Sequence, residues 1–147
     1  MVNTFLPYPN FKRSVGVLDW RRLGKQRAEA KQILKALRGD YDDTGAWINH
    51  PAVLMWEGFE GPLCIYGINA CSEWVKRGYK DNTIGWFLDM AHEYETCIEP
   101  WWMGLEDFHR SHQSNLIRKD PAHYVELWPG VPPDLPYYWP KPEEQIL

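Results

Sequence analysis

No run of about 18 apolar residues occurs in this sequence, which excludes a membrane-spanning helix. The opening residues, Met1-Val2-Asn3-Thr4-Phe5-Leu6-Pro7, lack the basic and long apolar regions of a secretory signal. Cysteine is scarce and odd in number. Cys64, Cys71 and Cys97 show no C-x-x-C spacing, so reduced thiols and a cytoplasmic location are expected rather than a disulfide framework. Also missing are a Gly-rich phosphate loop, a G-x-S-x-G elbow and a Cys-His signature, which leaves nucleotide hydrolysis and acyl transfer without support. No segment alternates as a strand, and no repeat is visible. The net charge of −4 argues against a protein that coats nucleic acid indiscriminately, but it permits a local basic groove.

What is present is unevenly distributed. The 147 residues fit one domain, 1–147, with enough chain to bury a core. Residues 12–38 carry nine cations (Lys12, Arg13, Arg21, Arg22, Lys25, Arg27, Lys31, Lys35 and Arg38) against Asp19 and Glu29 alone. A positive stretch inside an acidic chain points to a face that meets an anionic partner. The nine Trp residues suit a small helical domain that fills its core with large rings, and they also offer surfaces on which nucleobases stack.

Helical periodicity organises most of the rest into an all-α fold. Residues 1–13, with Pro7 and Pro9, read as an extended arm. Ser14 is a candidate N-cap for a helix that runs to Arg38 and stops at Gly39. On its wheel Leu23, Ala30, Ile33, Leu34 and Leu37 form a core stripe. Arg21, Arg22, Lys25, Glu29 and Gln32 lie opposite, flanked by Arg27, Lys31, Lys35 and Arg38. A loop through Asp40, Asp42, Asp43 and Gly45 follows. Asn49-His50-Pro51 opens a short helix through Met55 and Trp56, and Pro62 opens one to Lys76 that ends at Arg77-Gly78. Thr83 caps a helix to about Glu95, which Glu99-Pro100-Trp101-Trp102 breaks. Glu106–Arg118 reads as a further helix, and Asp120-Pro121 starts a short one through Leu127. From Pro129 to Pro142, prolines interleaved with Tyr137, Tyr138 and Trp139 make an extended tail pinned by its aromatics.

Two groups of residues carry candidate chemistry. Lys25 and Glu29 are four apart and Arg22 and Glu29 seven apart, so one carboxylate stands among cations on a single stripe. Such a carboxylate can act as a base or stabilise a developing cation, while Arg21, Arg22, Arg27 and Lys119 suit phosphates. His109 and His112, an H-x-x-H pair, are candidate phosphate contacts or interhelix hydrogen-bonding groups. With His50 they could form a metal-dependent hydrolase, but further ligands at set spacing are missing, and neither a metal nor a cofactor is expected.

These motifs together resemble the pyrimidine-dimer DNA glycosylase (endonuclease V) family, in its bacterial and phage branch. The resemblance lies in Thr4-Phe5-Leu6-Pro7-Tyr8, in Leu18-Asp19 with Arg22-Leu23-Gly24-Lys25-Gln26-Arg27-Ala28-Glu29, and in Asn49-His50-Pro51 with Met55-Trp56. It continues through Cys71-Ser72-Glu73-Trp74-Val75-Lys76-Arg77-Gly78-Tyr79, His109 and His112 with Asn115-Leu116, Lys119-Asp120-Pro121, His123-Tyr124, and Pro136-Tyr137 with Trp139-Pro140. It implies a compact, monomeric helical domain that kinks duplex DNA, flips a damaged or modified pyrimidine nucleotide and cleaves its glycosidic bond, with AP-lyase chemistry through an imine to an N-terminal amine. Val2 is small enough to permit Met1 removal and supply that amine, with Lys25 as the alternative. The family's catalytic Glu position falls on Arg22 here. Glu29, two turns on along the same face, is the replacement candidate, Asp19 the second, and His50 a further catalytic candidate. The competing expectation is a non-catalytic module that binds nucleic acid or a nucleotide ligand on the same basic face.

Overall fold

The computed structural model describes residues 2–40, 49–95 and 98–141. Among these, every regular element is helical: α1 (Phe11–Gly16), α2 (Trp20–Arg38), α3 (Pro51–Leu54), α4 (Glu60–Lys76), α5 (Ile84–Glu93), α6 (Glu106–Lys119) and α7 (Pro121–Tyr124). The expected all-α fold is what the chain adopts. None of the helices among the described residues is long and apolar enough to cross a membrane. The expected Asp42–Gly45 loop, Cys97 and Pro142 lie outside the described residues.

The start of the long helix differs from the sequence expectation. Ser14 caps nothing; α1 begins earlier, where the Asn10 side chain accepts the Arg13 N–H at 2.8 Å. The chain then breaks at Val17–Asp19, and the Asp19 carboxylate caps α2 by accepting the Arg22 N–H at 3.3 Å. The break is fixed from outside: the Tyr124 hydroxyl accepts the Asp19 N–H at 2.8 Å and donates to Asp19 Oδ1. At the other end Gly39 adopts φ 78°, which a side chain would resist. Its N–H reaches Ala36 O, and the Asp40 N–H reaches Lys35 O at 2.9 Å, closing a Schellman motif. Pro62 stands at the third position of α4 rather than the first, still within the turn whose N–H groups need no helical partner. For α5 the capping carboxylate belongs to Asp81, not to Thr83: it accepts the Thr83 and Ile84 N–H groups at 3.1 and 2.8 Å. α3 and α7 are single turns that end at Leu54 and Tyr124, short of the expected Trp56 and Leu127.

α2 packs on α4, which also holds α1 and α5, while α6 pairs with α7. Leu23, Ala30, Ile33 and Leu34 of α2 are buried with Leu63, Tyr66 and Ala70 of α4, as the wheel requires. Gly67 lets α5 come close, since a Cβ there would lie 2.3 Å from the Phe87 ring. Trp56 and Trp102 are fully buried edge to face, centroids 4.9 Å apart, with indole N–H groups donating to Thr4 Oγ1 and Met55 O. Most described tryptophans thus serve the core; Trp20, 55 % exposed, does not.

The N-terminal arm and the C-terminal tail are both irregular, and their backbone groups need partners that a helix would have supplied internally. α6 lies between them and supplies many. On one side His112 Nδ1 accepts the Leu6 N–H at 2.9 Å, His109 Nδ1 lies 2.7 Å from Leu6 O, and Gln113 donates to Pro7 O. On the other, Ser111, Ser114, Asn115 and Arg118 bind the backbone of Pro132, Pro133, Leu135 and Tyr138. This explains why the buried face of α6 is so polar.

Candidate active site

α2 also grips the arm, through Gln26. This fully buried carboxamide makes four contacts. Its Oε1 accepts the Phe5 N–H at 2.8 Å and lies 2.6 Å from the Tyr66 hydroxyl; its Nε2 donates to Asn3 O at 3.1 Å and to Glu29 Oε2 at 2.9 Å. The arm therefore lies beside Glu29, and Val2, itself buried, adjoins the residue that Gln26 holds. Burial pushes the Glu29 carboxyl pKa up, opposed first by the Asn3 N–H, then by the charge of the amino terminus, by Lys25 and by Gln26.

Glu29 opens onto a cleft of about 990 Å³ lined by Phe5, Asp19, Trp20, Arg21, Arg22, Lys25, Gln26, Glu29, Lys119, Asp120 and His123. One wall is the outward stripe of α2. The opposite rim is the junction of α6 and α7, which the Asp19–Tyr124 contact ties to the α2 cap. Arg22 Nη1 lies 3.2 Å from Asp19 Oδ1. Burial tends to raise the Asp19 carboxyl, but the Tyr124 hydroxyl and Arg22 outweigh it and hold the pKa below the usual value. Asp19 is thus an ionised cap and partner for Arg22, and Glu29 is the carboxylate with an elevated pKa.

Arg21, Arg22, Lys25, Glu29 and Lys119 are brought together as expected from the sequence. Others are not. Arg27 pairs with Asp81, and its guanidinium sits 4.5 Å from the Trp74 ring centroid, so it braces α2 against the α4–α5 connection instead of meeting phosphate. Gly24 admits that same indole, since a Cβ would lie 3.1 Å from it. His109 and His112 are buried arm clamps, not phosphate contacts. His109 Nε2 accepts the Gly104 N–H at 2.9 Å, so Nδ1 carries the proton donated to Leu6 O. His112 accepts at Nδ1, so its proton is on Nε2, which is buried without a partner; burial pulls its pKa to about 3. His50 is off the cleft wall: Nδ1 accepts the Ala52 N–H as the cap of α3, its ring meets Trp139 edge-on, and burial lowers its pKa. Among the described residues no group of three or more His, Cys, Asp or Glu gathers as a metal site.

Sequence reasoning missed Gln26, Asp120 and His123 as parts of this site. Gln26 stands between Lys25 and Glu29 in the motif, but its partners are backbone groups of the arm, and no side-chain pattern announces those. Asp120 and His123 sit beside Lys119, and the Asp19–Tyr124 contact, with His123 Nε2 2.9 Å from Val17 O, brings them to the start of α2.

The sequence model of the family described as pyrimidine dimer DNA glycosylase matches residues 2–84, a span that contains the arm, Gln26 and the whole α2 wall of the cleft. No curated protein and no solved structure matches the chain. With more than half of its length inside that match, the chain belongs to the pyrimidine dimer DNA glycosylase family.

Proposed function

We propose that the protein is a DNA N-glycosylase that binds duplex DNA in the α2 cleft, receives a damaged or modified pyrimidine nucleotide turned out of the stack, and cleaves its glycosidic bond. One observation carries this reading: a half-buried carboxylate of raised pKa, Glu29, opens onto a cation-lined cleft beside the clamped N-terminal arm. Arg21, Arg22, Lys25 and Lys119 suit the flanking phosphates. Glu29 stabilises the positive charge that develops on the sugar as the bond to the base breaks.

The nucleophile is an amine at this end of the cleft, that of Val2 once Met1 is removed, or Lys25. It attacks C1′, and the base leaves with the bonding electrons and takes up a proton. Loss of the amine proton and opening of the sugar ring give an imine, which supports strand cleavage by elimination. The test is incubation with duplex carrying pyrimidine dimers in the presence of borohydride, followed by mass analysis of the trapped peptide. A reduced adduct on Val2 or Lys25 is expected. Absence of cleavage and adduct with every damaged or modified duplex tried at low salt sinks the proposal.

A second reading is favoured by Arg22, which stands at the family's catalytic Glu position and is engaged by Asp19. In it the cleft binds nucleic acid or a nucleotide ligand without turnover, and Glu29→Gln leaves affinity intact.

A further inference from the structure

We infer that Trp20 is a stacking platform for a base of the bound DNA other than the one being excised, an inference that rests on the DNA reading above. Trp20 is 55 % exposed, whereas Trp56 and Trp102 are fully buried and Trp128 is 7 % exposed. An indole left in water forgoes the burial that large rings normally gain. Its place is nevertheless tightly fixed. Trp20 is the first residue of α2, directly after a cap that Tyr124 and Arg22 hold in position. Such a base leaves little backbone freedom to lose on contact with a ligand.

The ring lines the cleft together with Arg21, Arg22, Lys25 and Lys119, and the Arg21 guanidinium lies 5.3 Å from its centroid. A flat apolar face among cations matches the two faces of a nucleic acid, phosphate and base. The acidity of the rest of the chain makes this the place where an anionic polymer can settle. Trp20 precedes Glu29 by nine residues, about 13 Å along the helix at ~1.5 Å per residue. That is about four steps of duplex at ~3.4 Å each. A sugar held at Glu29 and a base stacked on Trp20 therefore belong to different nucleotides. Trp20 contacts a base unstacked by the kink, and so favours DNA already distorted at the lesion.

The test compares wild type with Trp20→Ala and Trp20→Phe, binding a duplex with one pyrimidine dimer and the same duplex undamaged, across a salt series. Loss of one stacked base is expected to weaken Trp20→Ala on the lesion duplex about five- to hundredfold. Affinity for the undamaged duplex stays within about twofold, the slope of log K against log salt is unchanged, and Trp20→Phe recovers most of the loss. Unchanged affinity of Trp20→Ala for the lesion duplex overturns the inference while leaving the DNA reading in place. Equal weakening on both duplexes also overturns it, because the ring then serves the backbone and not a base. If wild type binds neither duplex, inference and DNA reading fall together.

Discussion

α2 and α6 each present a stripe of polar residues that reads, in sequence, as a surface for an anionic partner. On α2 the stripe is Arg21, Arg22, Lys25 and Glu29, and it faces an open cleft. On α6 it includes His109, Ser111, His112, Ser114 and Asn115, all of them buried. The difference comes from what lies alongside. α6 is flanked by two irregular segments whose amides and carbonyls require partners, and its polar side chains are consumed in supplying them. α2 meets the arm through Gln26 and through Glu29, which faces the Asn3 N–H, so Arg21, Arg22 and Lys25 remain available. A buried polar stripe is thus a sign of neighbouring extended chain, whereas an exposed one is left to meet solvent or a ligand.

The most severe test of this contrast removes the cleft's carboxylate. Glu29→Gln keeps an oxygen whose two lone pairs can accept from Gln26 and the Asn3 N–H, so thermal unfolding should barely move, while turnover on a cleavable duplex falls by about 10²–10⁴. Steady-state and single-turnover rates together with a melting curve check both halves. A large fall in stability with only a small loss of rate would place Glu29 with the clamp instead of the chemistry.

The converse substitution is His112→Ala. It strips the Leu6 N–H of its acceptor, which costs about 1–3 kcal/mol, or several degrees of Tm at roughly 2–4 °C per kcal/mol for a chain of this size. Single-turnover rate at 25 °C should change only a few-fold, because His112 does not reach the cleft. A collapse in rate with unchanged Tm would mean that α6 has a catalytic task.

These two cases also show how much of the molecule was legible in its sequence. The helices, the core stripe of α2 and the charged side of its wheel follow from periodicity and composition, which depend on residues close together in the chain. The roles of His109, His112 and Arg27 do not. Each is decided by a partner far away in sequence, Leu6 for the two histidines and Asp81 for Arg27, and the helix wheel is the same whether or not that partner exists. The Ser14 cap failed for a similar reason, since Tyr124, more than a hundred residues on, fixes the break at Asp19. Trp20 could be placed on the helix, but its exposure could not be read before the packing was known.

Acid separates the two stripes next, because their titrations have opposite signs. The folded pKa of His112, about 3, lies below its unfolded value near 6.5. Between these values the unfolded chain binds the extra proton, so stability is full above about pH 6.5 and declines as pH falls toward 3. The loss between pH 7 and pH 5 should be about 2 kcal/mol from this group alone, and His109, lowered by burial in the same direction, adds to it. Glu29 is raised instead, so its contribution falls as pH rises through the carboxylate range, and it offsets part of the acid loss near and below pH 5. Urea midpoints from pH 7 to pH 4 should fall less steeply in His112→Gln than in wild type, and more steeply in Glu29→Gln. Parallel curves would contradict the assigned protonation states.

The smallest expected effect distinguishes cations that the sequence made equivalent. Lys119, exposed on the cleft rim, should contribute one phosphate contact, so Lys119→Ala should reduce the slope of log K against log salt for duplex DNA by about 0.9 without altering Tm. Arg27 is already neutralised by Asp81 and stacked on Trp74, outside the lining of the cleft. Arg27→Ala should therefore leave the salt slope alone and lower Tm, because it removes one partner and leaves the largely buried Asp81 carboxylate without its cation. Titrations at four or five salt concentrations resolve a change of this size. If the slope falls with Arg27→Ala and not with Lys119→Ala, DNA approaches the other side of α2 and the cleft is the wrong surface.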